Sequence, residues 1–109
     1  MRLVLAALVA LSLGACVEVQ TAVDNTARTA AKGVITETLA TRFPQVPKKL
    51  ITPFTDCIID NSSALEVREY ARAAVIGVDD TTVATVRGVL ARPETAQCLQ
   101  SRALSSGLV

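Results

Sequence analysis

The chain has 109 residues, with 11 basic and 10 acidic side chains and a formal net charge of +1. This length suits one small domain, and the near-neutral charge offers no electrostatic basis for binding nucleic acid or an anionic membrane face. Aromatic residues make up 3% of the chain and tryptophan is absent, which argues against a cleft that stacks sugars or bases.

The first 15 residues have the composition of an export signal. Arg2 supplies a positive charge, residues 3–13 are apolar apart from Ser12, and Gly14-Ala15 offers small residues to a peptidase. The apolar run is about 11 residues long, well short of the roughly 20 that a membrane-spanning helix needs. We therefore interpret residues 1–15 as a cleaved signal peptide and not as a permanent transmembrane helix.

The sequence Leu13-Gly14-Ala15-Cys16 resembles the lipobox of bacterial lipoproteins. The resemblance implies cleavage before Cys16, a diacylglycerol thioether on its sulfur, and acylation, for example with palmitate, of its new amino group. Two or more acyl chains suffice for stable membrane anchoring, whereas one chain is marginal. Because Val17 and not an aspartate follows the cysteine, the outer membrane is favoured over the inner one. We expect a lipoprotein of the bacterial cell envelope that faces the periplasm.

Two alternatives to lipidation stay open, namely an ordinary secretory signal that leaves Cys16 free and a buried apolar amino-terminal helix. With the signal removed, residues 16–21 are a lipidated tether and residues 22–109 a single small helical domain. Without Arg2, the ten remaining basic side chains equal the ten acidic ones, so the mature part is formally neutral.

Apolar residues that recur at three- to five-residue steps predict an amphipathic helix from Val17 to about Phe43. Residues 17–21 are either its first turn or a frayed tether beside the anchor. Gly33 weakens the middle of the helix, and it either admits a neighbouring helix or marks a break. Pro44 and Pro47 end the helix, because the residue before a proline is pushed out of the helical conformation. The apolar stripe contains Val19, Val23, Ala27, Ala30, Val34, Leu39 and Phe43.

A second helix ends near Asp60, and Pro53 lies inside its pattern. We favour a helix start with Thr52 as the cap and Pro53 at the first position; the alternative is one helix that is kinked at Pro53. The apolar positions with helical spacing are Leu50, Ile51, Phe54, Cys57 and Ile58.

Ser63 and Glu66 match a capping box, which predicts a third helix from about Ala64 to Ile76, and Gly77 suits its carboxyl-terminal cap. The predicted apolar side of this helix contains Val67, Ala71, Ala74 and Val75, with Leu65 and Tyr70 beside it.

Asp79 or Asp80 caps a fourth helix that runs through Ala91. Pro93 opens the last helix, where Glu94 and Arg102 suit the helix dipole. No stretch requires a strand, so the predicted fold is an all-α bundle of four to five short helices. The fourth helix is expected to bury Val83, Val86 and Leu90, and the last one carries Cys98, Leu99 and Ala103 before it frays at Ser105-Ser106-Gly107.

The chain has three cysteines, and two of them remain once Cys16 is assigned to acylation. Cys57 and Cys98 then remain as a pair in an oxidising compartment, where a disulfide is the default. Such a bridge would join the second helix to the last. Two buried free thiols are the alternative, and redox catalysis is not indicated because the chain lacks a Cys-x-x-Cys spacing.

The chain contains no histidine, the usual general base and the commonest metal ligand. Asp56 and Asp60 have the spacing of paired carboxylates, but we interpret them as solvated surface residues. Arg68 and Arg72 could bind a carboxylate or phosphate, yet Glu69 beside Arg72 favours an ordinary charged surface. No phosphate loop or nucleotide fingerprint is present. We predict no catalytic, cofactor-binding or metal-binding residue, and therefore no enzyme.

Residues 57–61 (CIIDN) and 92–99 (RPETAQCL) are similar to stretches of small exported alphaproteobacterial-type proteins of unknown role. Some of those proteins carry respiratory-enzyme labels such as succinate dehydrogenase. Because the flavin and iron–sulfur ligands of such an enzyme are absent, the resemblance implies at most an accessory component.

The favoured function is therefore that of a non-catalytic, lipid-anchored envelope protein with a structural or accessory protein-binding role. Its partners would be the membrane, through acyl chains on Cys16, and another protein, but no nucleic acid. The alternatives are a small-ligand or lipid-binding envelope module and an accessory subunit of a membrane enzyme, such as a respiratory one.

Overall fold

The computed structural model describes residues 25–105, and within this part all regular secondary structure is helical. The predicted all-α fold of short helices is confirmed. A 3₁₀ turn, Lys48–Leu50, leads into the second helix. The α-helices are α1 over residues 25–42, α2 Ile51–Asp60, α3 Ala64–Ile76, α4 Asp80–Leu90 and α5 Pro93–Ser105.

The helices α1 and α2 pack antiparallel around the turn that contains Pro44 and Pro47. The two prolines lie just beyond the last residue of α1, as predicted. Along the interface the contacting residues of α1 rise in number, whereas the residues of α2 that they contact fall in number. The two helices therefore run antiparallel. The contacts that pair the two helices are Arg28 with Asp60, Lys32 with Asp56 and Thr36 with Thr55.

The start of α2 differs from the prediction, because the helix begins at Ile51 and Thr52 does not cap it. Leu50 occupies the cap position without a side-chain hydrogen bond. The preceding 3₁₀ turn provides the entry instead, with the Leu50 N–H donating to the Pro47 carbonyl at 2.9 Å. Pro53 is tolerated because it lies in the first turn, where backbone N–H groups have no partner within the helix.

Side-chain caps define the starts of α3 and α4. The Ser63 hydroxyl accepts the Glu66 N–H at 3.2 Å and Glu66 accepts the Ser63 N–H at 2.7 Å, which confirms the predicted capping box. Asp79, and not Asp80, caps α4. Thr82 completes a second, reciprocal box there that sequence patterns did not predict.

The core lies between α1, α2, α3 and α4, and each member of it is at most 8% exposed. Of the α5 residues, Thr95 is buried, but no residue of α5 belongs to the hydrophobic core. The core residues are Ala31, Val34, Ile35, Leu39, Phe43, Ile58, Ile59, Tyr70, Ala73, Val83, Val86 and Val89.

The buried side of α3 is rotated relative to the predicted one. Tyr70 and Ala73 face the core, whereas Ala74 and Val75 are exposed. Tyr70 decides the rotation because it is the largest side chain of the helix, and its hydroxyl reaches Ser62 at 3.2 Å when it faces inward.

Both predicted roles of Gly33 are wrong. The helix α1 runs through it without a break. A β-carbon built at Gly33 would have no neighbouring atom within 4 Å outside its own helix, so the glycine admits no close helix.

Candidate interaction surface

The predicted disulfide is present and joins α2 to α5. Cys57 and Cys98 are bonded with an S–S distance of 2.07 Å and a Cα–Cα distance of 5.7 Å. The alternative of two free thiols is therefore wrong. Cys16, the predicted lipid-attachment residue, lies outside the described residues, as does the signal peptide, so lipidation stays a prediction.

Asp56 and Asp60 are not simply solvated, because basic side chains from two other helices contact them. Asp60 pairs with Arg28 of α1 at 3.1 Å and with Arg102 of α5 at 3.3 Å. Asp56 pairs with Lys32 at 3.3 Å and with Arg102 at 3.4 Å. We call these five residues the charged stripe. Since its side chains are 27–48% exposed, each pair contributes at most about 1 kcal/mol.

An open groove lies beside the charged stripe, between the start of α2 and the end of α5. It is lined by Thr52, Pro53, Asp56, Arg102 and Ser105. The groove is shallow and carries one acidic and one basic group, so it does not resemble the enclosed apolar cavity that a lipid-binding module would need.

Arg72 forms a clamp between α3 and the start of α4. Its guanidinium donates to Glu69 at 2.8 Å and to Asp79 at 3.0 Å. Hydrogen bonds from Arg72 lower the pKa of Glu69, and the Thr82 N–H together with Arg72 lowers that of Asp79. Because these contacts occupy the guanidinium, Arg72 is not placed to bind an external anion.

The most exposed part of α3 is the face opposite Tyr70. At 100° per residue, its members fall within an arc of about 100°, and Leu65 and Ile76 are about 16 Å apart along the helix. We call this set the α3 outer face: Leu65, Arg68, Val75 and Ile76. Arg72 lies within the same arc, where Glu69 and Asp79 hold it. The sequence pattern does not predict this face, because it puts Val75 on the buried side of α3 and Leu65 beside that side. The spacing of Leu65 and Ile76, three turns apart, was the signal that could have revealed it.

Within residues 25–105, no group of three or more His, Cys, Asp or Glu side chains could hold a metal ion. None of the helices there is long and apolar enough to cross a membrane.

Comparisons with protein-family models, with curated proteins and with solved structures gave no match.

Proposed function

We propose that this protein is a lipoprotein of the bacterial cell envelope whose helical domain binds another protein and catalyses no reaction. Cys16, preceded by Leu13-Gly14-Ala15, supports the anchor. Val17 supports an outer-membrane, periplasm-facing position. The domain's own contribution is the α3 outer face, which is the observation that carries the proposed protein binding.

The apolar side chains of the α3 outer face are largely exposed. Leu65 is 73% exposed, Val75 85% and Ile76 67%. Leu65 lies at one end of this face and Val75 with Ile76 at the other, and Arg68 and Arg72 lie between them. A partner that covers the whole face would bury all three apolar side chains. Covering such side chains would stabilise a complex by about 25 cal/mol per Å² of buried apolar surface, less the entropy of association.

Arg68 adds a charge requirement to the partner. It is exposed on the same face, and no ion pair joins it to another of the described residues. The nearby Arg72, by contrast, is held by Glu69 and Asp79. The complementary partner is therefore a protein surface with apolar side chains next to an aspartate or glutamate.

Recovery of the partner from detergent-solubilised membranes, compared between variants, tests this surface. The double variant Leu65→Ser/Val75→Ser should lose the copurifying protein, and Arg68→Glu should weaken its recovery. Leu104→Ser is the matched control, because Leu104 is also 67% exposed but lies on α5. A partner that is recovered equally with all variants, or lost with Leu104→Ser as well, would argue against the α3 outer face.

The anchor is tested separately with Cys16→Ser. The variant should move from the membrane fraction to the aqueous fraction and lose the mass of its acyl chains. If it stays membrane-bound and its mass changes only by the substitution, lipidation is wrong. Density-gradient separation of the two membranes tests the expected outer-membrane position.

A further inference from the structure

We propose that α5 is a redox-releasable arm. It is docked while the Cys57–Cys98 disulfide is intact, and on reduction it undocks as a unit while α1 to α4 stay folded. This inference goes beyond the proposed function and does not depend on the acyl anchor or on the α3 outer face.

The first observation is that α5 contributes nothing to the hydrophobic core. The core residues come from α1 to α4 and from Phe43 just after α1. The partly buried apolar residues that pack against the core also lie outside α5; they are Val46, Ile51, Phe54, Val67, Val78 and Leu90. Leu99 and Ala103 of α5 are half-buried, but α5 has no fully buried apolar side chain. Since burial of apolar surface is the main favourable term in packing, α5 gains less from it than α1 to α4 do.

The second observation concerns Thr95, the one buried residue of α5. Its side chain is fully buried and its Oγ1 atom has no hydrogen-bond partner. A hydroxyl that loses its bonds to water and gains none from protein disfavours the docked arrangement. Release of α5 would let water hydrate Thr95, so this group acts in favour of undocking.

Ion pairs of Arg102 also attach α5 to α2. Arg102 contacts Asp56 and Asp60 at 3.4 and 3.3 Å, and its side chain is 44% exposed. Exposed ion pairs at such distances stabilise weakly. Arg92 is bound firmly to Glu66 and the Asn61 carbonyl, but it precedes Pro93 and therefore holds the α4–α5 connection and not the arm itself.

The chemical step is thiol–disulfide exchange with a dithiol, the reductant class carried by thiol-exchange proteins. Cys57 is fully buried and Cys98 is half-buried, so Cys98 is the more accessible of the two to an attacking thiolate. The Cys57–Cys98 bond breaks, Cys57 leaves as a thiolate, and a mixed disulfide forms at Cys98. The second thiolate of the dithiol then displaces Cys98. The dithiol is oxidised to its own disulfide, and both cysteines take up protons.

Hydrogen exchange of the full chain in detergent, with and without dithiothreitol, tests the arm. Reduction should accelerate exchange of the α5 amides about tenfold or more, whereas those of α1 to α4 change by less than about threefold. The variant Cys98→Ser should show the same pattern without reductant. Unchanged α5 exchange would overturn the proposal, and so would equal acceleration of all helices, which would mean global unfolding.

Thr95→Val tests the cause of the weak docking, because valine keeps the size of threonine and removes the unpartnered hydroxyl. In the reduced protein it should slow α5 exchange by about fivefold or more. Thr81→Val, at an exposed position of α4, is the matched control and should leave α5 exchange unchanged. If Thr95→Val leaves α5 exchange as fast as before, the unpartnered hydroxyl does not disfavour docking, and this outcome would contradict the proposed cause of the weak docking.

Discussion

Arg92 and Glu66 form a doubly hydrogen-bonded ion pair that joins the α4–α5 connection to the first turn of α3. Nη1 of Arg92 donates to Oε1 of Glu66 at 2.8 Å, and Nη2 donates to Oε2 at 2.6 Å. The same Nη1 donates to the Asn61 carbonyl at 2.6 Å. Because Glu66 also accepts the Ser63 N–H, one carboxylate caps α3 and fixes the residue that precedes α5. The Glu66 side chain is 19% exposed, so water screens the pair less than the charged stripe.

This dual role predicts that Glu66 contributes more to stability than an ordinary cap. Glu66→Ala should lower the free energy of unfolding by about 1–3 kcal/mol, because both the cap and the charged hydrogen bonds are lost. Ser63→Ala removes only the cap and should cost about 1 kcal/mol. Urea unfolding measures both free energies. Glu37→Ala, at an exposed site of α1, is the control, and its free energy of unfolding should stay within about 0.5 kcal/mol of wild type. Equal effects of Glu66→Ala and Glu37→Ala would refute the assignment.

Acid should destabilise the fold through three carboxyls. Burial raises the pKa of Glu66, but hydrogen bonds from Arg92 and Ser63 outweigh it, and the net pKa is lowered. The pKa values of Glu69 and Asp79 are lowered as well. A carboxyl with a lower pKa in the folded state stabilises above its unfolded pKa and loses this contribution as pH falls through the folded value.

The free energy of unfolding should therefore be nearly constant down to about pH 5 and fall progressively below about pH 4.5. Urea unfolding at a series of pH values measures this profile. Glu66→Gln should make the acid decline shallower, because one of the three titrating groups is gone. A wild-type profile that stays flat to about pH 3 would contradict the prediction.

Tyr70 is fully buried, and its hydroxyl lies 3.2 Å from the Ser62 Oγ. Since the Ser62 hydroxyl donates to the Ile58 carbonyl at 2.6 Å, Tyr70 is the donor to Ser62. Tyr70→Phe should lower the free energy of unfolding by about 0.5–1.5 kcal/mol without opening a cavity. Urea unfolding measures this, and a more stable variant would show that the hydrogen bond is not made.

Alkali should also destabilise the fold, because burial raises the pKa of Tyr70 above its usual 10.0. The neutral phenol is favoured in the folded state, so its contribution is complete below pH 10 and is lost as pH rises through the folded pKa. Tyr70 is the only tyrosine and the chain has no tryptophan, so tyrosinate absorbance reports this residue alone. Ionisation is expected to coincide with unfolding seen by circular dichroism; ionisation of a fully folded protein near pH 10 would be the contrary result.

Two glycines should respond to alanine in opposite directions. Gly33 lies within α1, where alanine has open space and a better helix propensity, so Gly33→Ala should stabilise the fold by about 0.5–1 kcal/mol. Gly77, the residue after α3, has φ of 101° and ψ of 158°, a combination that side chains other than glycine rarely adopt. Gly77→Ala should therefore destabilise by about 1–3 kcal/mol. Thermal unfolding distinguishes them, and a shift of both in the same direction would refute this reading of the backbone.

Helix ends with side-chain signals could be predicted from the sequence, whereas one without such a signal could not. Ser63 with Glu66 marks the start of α3, and Pro93 that of α5, because caps and prolines act within a few residues of chain. Ile51 begins α2 without a side-chain cap, so the local sequence points to Thr52 and Pro53 as the start instead. Periodicity alone does not reveal the α3 outer face either. Alanine occurs on several sides of this helix, so its apolar pattern leaves the buried side poorly defined.

What the sequence by itself determined is the set of helices, their capped ends, and the pairing of Cys57 with Cys98. Only the tertiary structure decided how each helix is rotated and which cations from α1 and α5 reach Asp56 and Asp60. It also decided that no apolar side chain of α5 belongs to the hydrophobic core. The physical reason is the distance along the chain over which each signal acts. Caps, prolines and helix periodicity are local to a few turns, whereas the orientation of a helix depends on which neighbours can bury its largest side chains and satisfy its polar groups.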